Sequence, residues 1–301
     1  MSVRQFLGRN EFLKRQWHRA LGLADALTWR VFVARSRSDP LSEGMARTFS
    51  EARKGDLTML EAEACDGIEA LRAEMLASTD EITFTDFGAV TAGYVKAPDE
   101  EEAGVRTVEA VSSICATASQ SPAQGRFLFR LVRNLKPVGC LELGTCLGIS
   151  AMYTGAALKM NGKGRLLTVE GGRALADIAA RNTERLGLDC VEVRRGRVED
   201  CLAECLASIG QVDFAFIDAN HDGEATVRYF GEVASLLGDG AVVLFDDIRW
   251  SKDMAEAWKT LKASPRATRT YDLGTKGILV YHPGSVRPKH YRVAVKGASV
   301  F

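Results

Sequence analysis

The apolar positions change period along the chain near residue 137. Before it the spacing is mostly helical. Leu13, Trp17, Leu21, Leu27 and Val31 recur at about four residues and predict a helix over 10–35, interrupted by Asp39-Pro40. Leu60, Ala64, Ile68 and Leu71 predict a second helix over 57–76. Residues 81–87 alternate in part, with Ile82 and Phe84 on one side, as in a short strand or extended arm, and 88–99 read as loop. A third helix is expected to start in the acidic run 99–102, which suits a positive helix N-terminus, and to carry Val105, Val108, Val111 and Ile114. A fourth starts at Ser121-Pro122, carries Phe127, Leu128, Leu131, Val132 and Leu135, and stops at Pro137.

After residue 137 short apolar runs alternate with amphipathic ones, the mark of a parallel α/β sheet. Strands are expected at 138–143, 165–170, 190–194, 212–217 and 241–245, and helices at 149–159, 173–186, 198–208, 224–237 and 252–263. Two more strands, 267–272 and 277–282, are joined only by Leu273-Gly274-Thr275-Lys276. That link is too short for a parallel crossover, so the pair must be an antiparallel hairpin. Residues 288–296 alternate again and are expected to add an edge strand.

The strand–glycine turn–helix unit around Leu141-Glu142-Leu143-Gly144-Thr145-Cys146-Leu147-Gly148-Ile149-Ser150 organises this half. Its glycines allow close backbone approach to a ligand. The spacing is not the G-x-G-x-x-G of a dinucleotide site, which disfavours a nicotinamide dehydrogenase. An acid at 142 would repel a pyrophosphate and suits a cationic ligand, such as the amino group or sulfonium of S-adenosylmethionine. The stretch resembles the first motif of class I S-adenosylmethionine-dependent methyltransferases. Five parallel strands followed by a hairpin also look like that family's sheet, whose last strand is inserted antiparallel.

In open α/β sheets ligands bind at the carboxyl ends of the strands. The second strand ends in Glu170-Gly171, where a carboxylate can accept both hydroxyls of a ribose; the 196–200 loop is expected to border the adenine. The fourth strand ends in Asp218, the fifth in Asp246-Asp247, and such oxygen ligands suit a hard cation like Mg2+. Phe216-Ile217-Asp218-Ala219-Asn220-His221-Asp222 resembles the loop after strand four of the catechol and caffeoyl-CoA O-methyltransferases, where the aspartate matching Asp218 binds the metal. Asp246-Asp247-Ile248-Arg249-Trp250 resembles their second metal motif, with Asp247 standing where the family has asparagine. The family's catalytic lysine falls on His221. The resemblance spans about 121–282, and the phrases at 85–89, 245–251 and 257–258 are similar to bacterial methyltransferase-like proteins.

The resemblance implies cofactor contacts from Glu142, Gly144, Thr145, Gly148, Ser150, Glu170, Gly171 and Asp218, a metal held by Asp218, Asp246 and Asp247, and proton abstraction by His221 or Asp247. It implies an α/β, Rossmann-like seven-stranded sheet with an antiparallel last strand in residues 121–301, preceded by a mainly helical extension in 1–120. The expected reaction is methyl transfer from S-adenosylmethionine to a hydroxyl of a small molecule. Transfer to nitrogen or carbon, and cofactor binding without catalysis, stay open as alternatives.

Composition changes this picture little. The 301 residues are 46% hydrophobic and 26% charged, with net charge zero, which gives no global pull toward nucleic acid or a membrane. Charge is uneven: residues 1–60 carry 11 Lys/Arg against 6 Asp/Glu, while 61–102 carry 12 Asp/Glu against Arg72 and Lys96. Seven scattered cysteines, with no CxxC pair, argue against a disulfide framework or zinc site and fit a reducing cytoplasm. No signal peptide or membrane span is expected. The helical N-terminal part is expected to pack over the strand ends or to form a homodimer surface.

Overall fold

The computed structural model describes residues 40–88, 104–282 and 288–293. The helix expected over 10–35, and the stretch 89–103, lie outside the described residues. In order, the elements are α1 (Pro40–Lys54), α2 (Met59–Ala77), β1 (Glu81–Asp86), β2 (Val105–Ala110), α3 (Val111–Thr117), α4 (Pro122–Leu135), β3 (Gly139–Leu143), α5 (Ile149–Asn161), β4 (Arg165–Glu170) and α6 (Arg173–Arg185). They continue with β5 (Val191–Arg195), α7 (Val198–Ile209), β6 (Val212–Ile217), α8 (Gly223–Val233), β7 (Leu237–Phe245), α9 (Lys252–Ala263), β8 (Ala267–Asp272), β9 (Gly277–Tyr281) and β10 (Lys289–Arg292).

The main sheet runs β10-β8-β9-β7-β6-β3-β4-β5. Strand β9 is antiparallel to both neighbours, β7 and β8, and the other pairings are parallel. This is the expected seven-stranded sheet with its inserted antiparallel strand, plus β10 at the edge. Chain order reverses between β3 and β6, which makes their carboxyl ends the switch point where ligands bind.

Both faces of the sheet are buried, so its central strands read as continuous apolar runs. Cys140, Phe214, Phe216, Val242 and Leu244 face one core with α1 to α6. Leu141, Leu143, Ala215, Ile217, Val243 and Phe245 face the other, with α7, α8 and α9. The helices before residue 121 are not a separate layer: Met45, Phe49, Ile68 and Leu71 share the first core with Phe127, Leu131 and Tyr153. Helix α4 begins where its capping signal lies, with Ser121 and Gln124 satisfying each other's backbone N–H groups.

Four expectations are corrected. Helix α1 was not expected; Pro40 opens a helix rather than only interrupting one, and Met45 and Phe49 fill its buried face. Residues 105–110 form β2, paired with β1, instead of the third helix. Gly104, at φ 70, breaks any helix arriving from the acidic run, and β-branched Val105, Thr107 and Val108 suit a strand. Helix α8 stops at Val233 because Leu237 is drawn into β7 opposite Val212. In α2 the buried face is Cys65, Ile68, Leu71 and Met75, whereas Leu60 is 63% exposed. No helix among the described residues is long and apolar enough to cross a membrane.

Candidate functional site

The turn after β3 is built around a backbone conformation that requires glycine. Gly144 has φ 95, and a Cβ there would lie 2.1 Å from the carbonyl oxygen of Asp218. The strand ends are tied together at this point: Asp218 N–H donates to Leu143 O at 2.9 Å, and Gly144 N–H to Val169 O at 3.0 Å. Gly148, φ 87, leads into α5 and rests on Ala179, 3.0 Å from where its Cβ would be. Cys146 between them is also left-handed, at φ 50.

Glu142 lies beneath this turn, 1% exposed. Alternation along β3 points it to the first core while Leu141 and Leu143 face the second. Its Oε2 accepts from Thr168 Oγ1 at 2.5 Å, and Thr168 in turn meets Thr145 Oγ1 at 2.5 Å. Its Oε1 is buried without a hydrogen-bond partner. Burial pushes the carboxyl up to about 7, against the pull of the Thr168 and Ser150 hydroxyls. A buried acid with one unpaired oxygen beside a glycine turn has the chemistry to accept a cationic group.

Glu170 is the second acid at the cradle. Its Oε2 accepts from Cys146 N–H and its Oε1 from Gly172 N–H, both at 2.7 Å. Burial raises its pKa and these N–H groups oppose the shift. Next to it, Gly171 lies under the ring of Phe87, whose Cδ2 would be 2.6 Å from a Cβ. The Arg197 guanidinium sits 5.5 Å from the centroid of that ring. A cavity of about 280 Å³ opens here, lined by Phe84, Phe87, Arg106 and Gly171 among others. Arg197 is the contact of the 196–200 loop with this ring, and Phe87 from the β1–β2 unit was not foreseen. Its only signal was its place at the end of a short alternating run.

The ends of β6 and β7 bring Asp218, Asp246, Asp247 and His221 together. Asn220, His221 and Asp247 all adopt left-handed backbone, at φ 63, 45 and 47. Three such residues on two adjacent loops mark a site where strain is tolerated. His221 Nδ1 faces Asp247 Oδ2 at 3.7 Å, and the imidazole lies 5.4 Å from the Trp250 ring. Trp250 is 42% exposed. Asp222, next in the loop, caps α8 by accepting from Ala225 N–H at 2.7 Å.

Two residues that sequence reasoning missed occupy the centre of the acidic group. Lys276, at the end of the β8–β9 turn and 2% exposed, places its ammonium against Asp246 Oδ1. Gln120 Nε2 donates to Asp246 Oδ2 at 2.5 Å and to Asp218 Oδ2 at 3.1 Å, bridging the two acids. Burial works to raise the pKa of Asp246, but Lys276, Gln120 and the Asp247 N–H hold it below the usual carboxylate range. Asp218 goes the other way: burial, then the charge of Asp246, pushes its pKa well up. Burial and Asp246 also raise that of Asp247, and His221 counters them.

A divalent ion does not fit this arrangement. Asp246 is already neutralised by an ammonium, and an amide already joins it to Asp218. Among the described residues no three His, Cys, Asp or Glu side chains converge as a metal site. The three aspartates lie at neighbouring strand ends without converging on one point, and a cation of the chain's own sits on Asp246.

A methyltransferase-domain family matches residues 141–248, the span from the Glu142 strand to the Asp246-Asp247 loop. A catechol O-methyltransferase of Niastella koreensis is 35% identical over 132 residues, covering 43% of this chain and 58% of that protein. Caffeoyl-CoA O-methyltransferase 5 of Nicotiana tabacum is 27% identical over 135 residues, covering 44% of this chain and 55% of that protein. The chain thus spans little more than half the length of the curated relatives it matches. A methyltransferase structure from Podospora anserina, solved bound to SAH, covers 80% of this chain and 96% of its own, at 17% identity and a TM-score of 0.51, and shares the fold. The glycine turn after β3 and the acids at the ends of β6 and β7 fall within residues 141–248, the part of the chain that matches a methyltransferase domain, and the chain is similar to O-methyltransferases of the catechol and caffeoyl-CoA type.

Proposed function

We propose that this protein binds S-adenosylmethionine at the cradle after β3 and transfers its methyl group to a hydroxyl of a small molecule. The observation that carries the reading is the buried, unpaired Oε1 of Glu142 beneath a turn that has no room for a Cβ at Gly144. S-adenosylmethionine, when bound, supplies the activated methyl group on its sulfonium. The chain's own residues hold it and prepare the acceptor. Glu142 meets a cationic group through Oε1, with Thr168, backed by Thr145, holding Oε2. Gly144 and Gly148 let the backbone approach. Glu170, with Gly171, is the acid placed to receive ribose hydroxyls. The accessible His221–Asp247 pair takes the acceptor's proton, with Asp247 orienting the imidazole through Nδ1. This assigns cofactor binding to residues 121–301, with the helices before them completing the first core. The test is calorimetry with S-adenosylmethionine and its demethylated product. Binding of either is expected, and Glu170→Ala should weaken it by roughly 1.5–3 kcal/mol, the value of a hydrogen bond to a charged group. Well-folded protein that binds neither compound overturns the reading.

Glu142 gives this binding a pH dependence. In the free protein it titrates at about 7, above the ~4.3 of an unperturbed glutamate. Its contribution to folding is therefore full below about pH 4.3 and is lost as pH rises through about 7. A cation in the cradle favours the ionised carboxylate, so binding there releases a proton. Affinity is expected to rise as pH approaches about 7 and then to level off. Glu142→Gln should flatten the rise, and calorimetry in buffers of different ionisation enthalpy counts the released proton. A pH-independent affinity in the wild type would remove Glu142 from the cofactor's contacts.

A further inference from the structure

Three buried or half-buried carboxylates on two adjacent strand ends invite a divalent cation. The space between two of them is taken by side chains of the chain itself. The position of Lys276 is built, not incidental. Leu273 N–H closes the β8–β9 turn onto Lys276 O at 2.9 Å, and Ile248 N–H, in the loop after β7, donates to Thr275 O at 2.8 Å. Arg249 clamps the same turn through Asp272, at 2.9 and 2.6 Å, and through Gly274 O. Gly277 lies flat on the Trp258 ring, where a Cβ would come within 2.7 Å, which fixes the start of β9. The ammonium meets Asp246 on one side and lies 5.6 Å from the centroid of the Phe216 ring on another. Gln120 arrives from the opposite direction, just ahead of α4, and spans Asp246 and Asp218 with one amide nitrogen.

We propose that Lys276, with Gln120, takes the place a divalent cation would hold between Asp218 and Asp246. The site then binds no divalent ion, and Lys276 is a positioning residue that supplies the positive charge permanently. A fixed ammonium has none of the open coordination positions through which a metal ion chelates two oxygens of one ligand. The acceptor is therefore held by a single oxygen, at the His221–Asp247 pair, and needs no second, vicinal oxygen. For the acceptor this rests on the methyl-transfer reading; the exclusion of the ion does not.

Mn2+ is the probe, read by its electron paramagnetic resonance signal, which falls when the ion is bound. Wild-type protein is expected to leave the signal of free Mn2+ unchanged. Lys276→Met, which keeps the bulk and removes the charge, is expected to take up the ion, with affinity raised ~tenfold or more because a like charge within a few ångström is gone. Asp246→Asn placed on top of Lys276→Met should abolish that uptake, which ties it to the acids rather than to the surface. Gln120→Ala, which keeps the ammonium, should stay silent. One Mn2+ bound per wild-type chain and lost in Asp246→Asn overturns the proposal. So does a folded Lys276→Met protein that binds no more Mn2+ than wild type. If Lys276→Met fails to fold, the wild-type and Gln120→Ala titrations decide alone. Calorimetry with S-adenosylmethionine on the same wild-type sample reports on the methyl-transfer reading separately, so the failure of one is told from the failure of the other.

Discussion

His221→Ala is expected to lower turnover by about 10²–10⁴-fold, the usual worth of a general base, while cofactor affinity changes little. The geometry separates the two effects. His221 sits on the loop after β6, beyond the acid of that strand, whereas the cradle is formed by the turns after β3 and β4. Its Nδ1 faces Asp247 at 3.7 Å, so the ring has an orienting partner on one side and can receive a proton on the other. The backbone at φ 45 needs a control, because most residues are strained there. His221→Asn serves, since asparagine tolerates the left-handed region. It should be as inactive as alanine if the imidazole matters and near normal if only the backbone does. His221→Lys, which restores the residue type of the resembled family, is expected to keep part of the activity. An alanine variant that turns over like wild type places the base elsewhere, with Asp247 next.

What the sequence made legible follows the range of the interactions involved. The strands β3, β4 and β6, with acids in or just after their last residues, were readable because burial on both faces leaves a dense apolar run. The hairpin of β8 and β9 was readable because a four-residue link excludes a crossover. The start of α4 was readable because Pro122 suits the first turn of a helix, and the structure adds the Ser121–Gln124 cap there. Residues 105–110 misled because Val105, Val108, Val111 and Ile114 also fit a helical period, and the deciding facts are Gly104 and a partner strand 19 to 29 positions away. Lys276 and Gln120 were not legible at all. Gln120 meets its acids across 98 and 126 positions, and no local pattern encodes that meeting. A lysine just before an apolar strand reads as the solvated end of a turn. Only the packed structure turns it into a buried cation.

The ion pair between Lys276 and Asp246 carries the second large effect. Both side chains are almost wholly buried, at 3% and 6% exposure. Asp246→Asn keeps the shape and removes the charge, leaving the ammonium without its counter-ion. Breaking a buried pair from one side typically destabilises by about 3–5 kcal/mol, because the remaining charge stays desolvated. Asp218 lies near enough for its charge to respond to Lys276, and its ionisation offsets part of the loss, so the lower end, about 3 kcal/mol, is expected. Urea unfolding at neutral pH measures it. The acid arm has a definite sign. The folded pKa of Asp246 lies below its usual value, so the stabilisation is present above about pH 3.9 and is lost as pH falls through the folded value. The difference between wild type and Asp246→Asn should therefore be full at neutral pH and shrink in acid. Adding Lys276→Met removes the stranded ammonium, and the double variant should recover much of what the single one lost. The resulting coupling energy isolates the pair from the rest of the site. If Asp246→Asn costs less than about 1 kcal/mol and the two substitutions simply add, the ammonium is solvated in solution and the pair does not hold β7 to the β8–β9 turn.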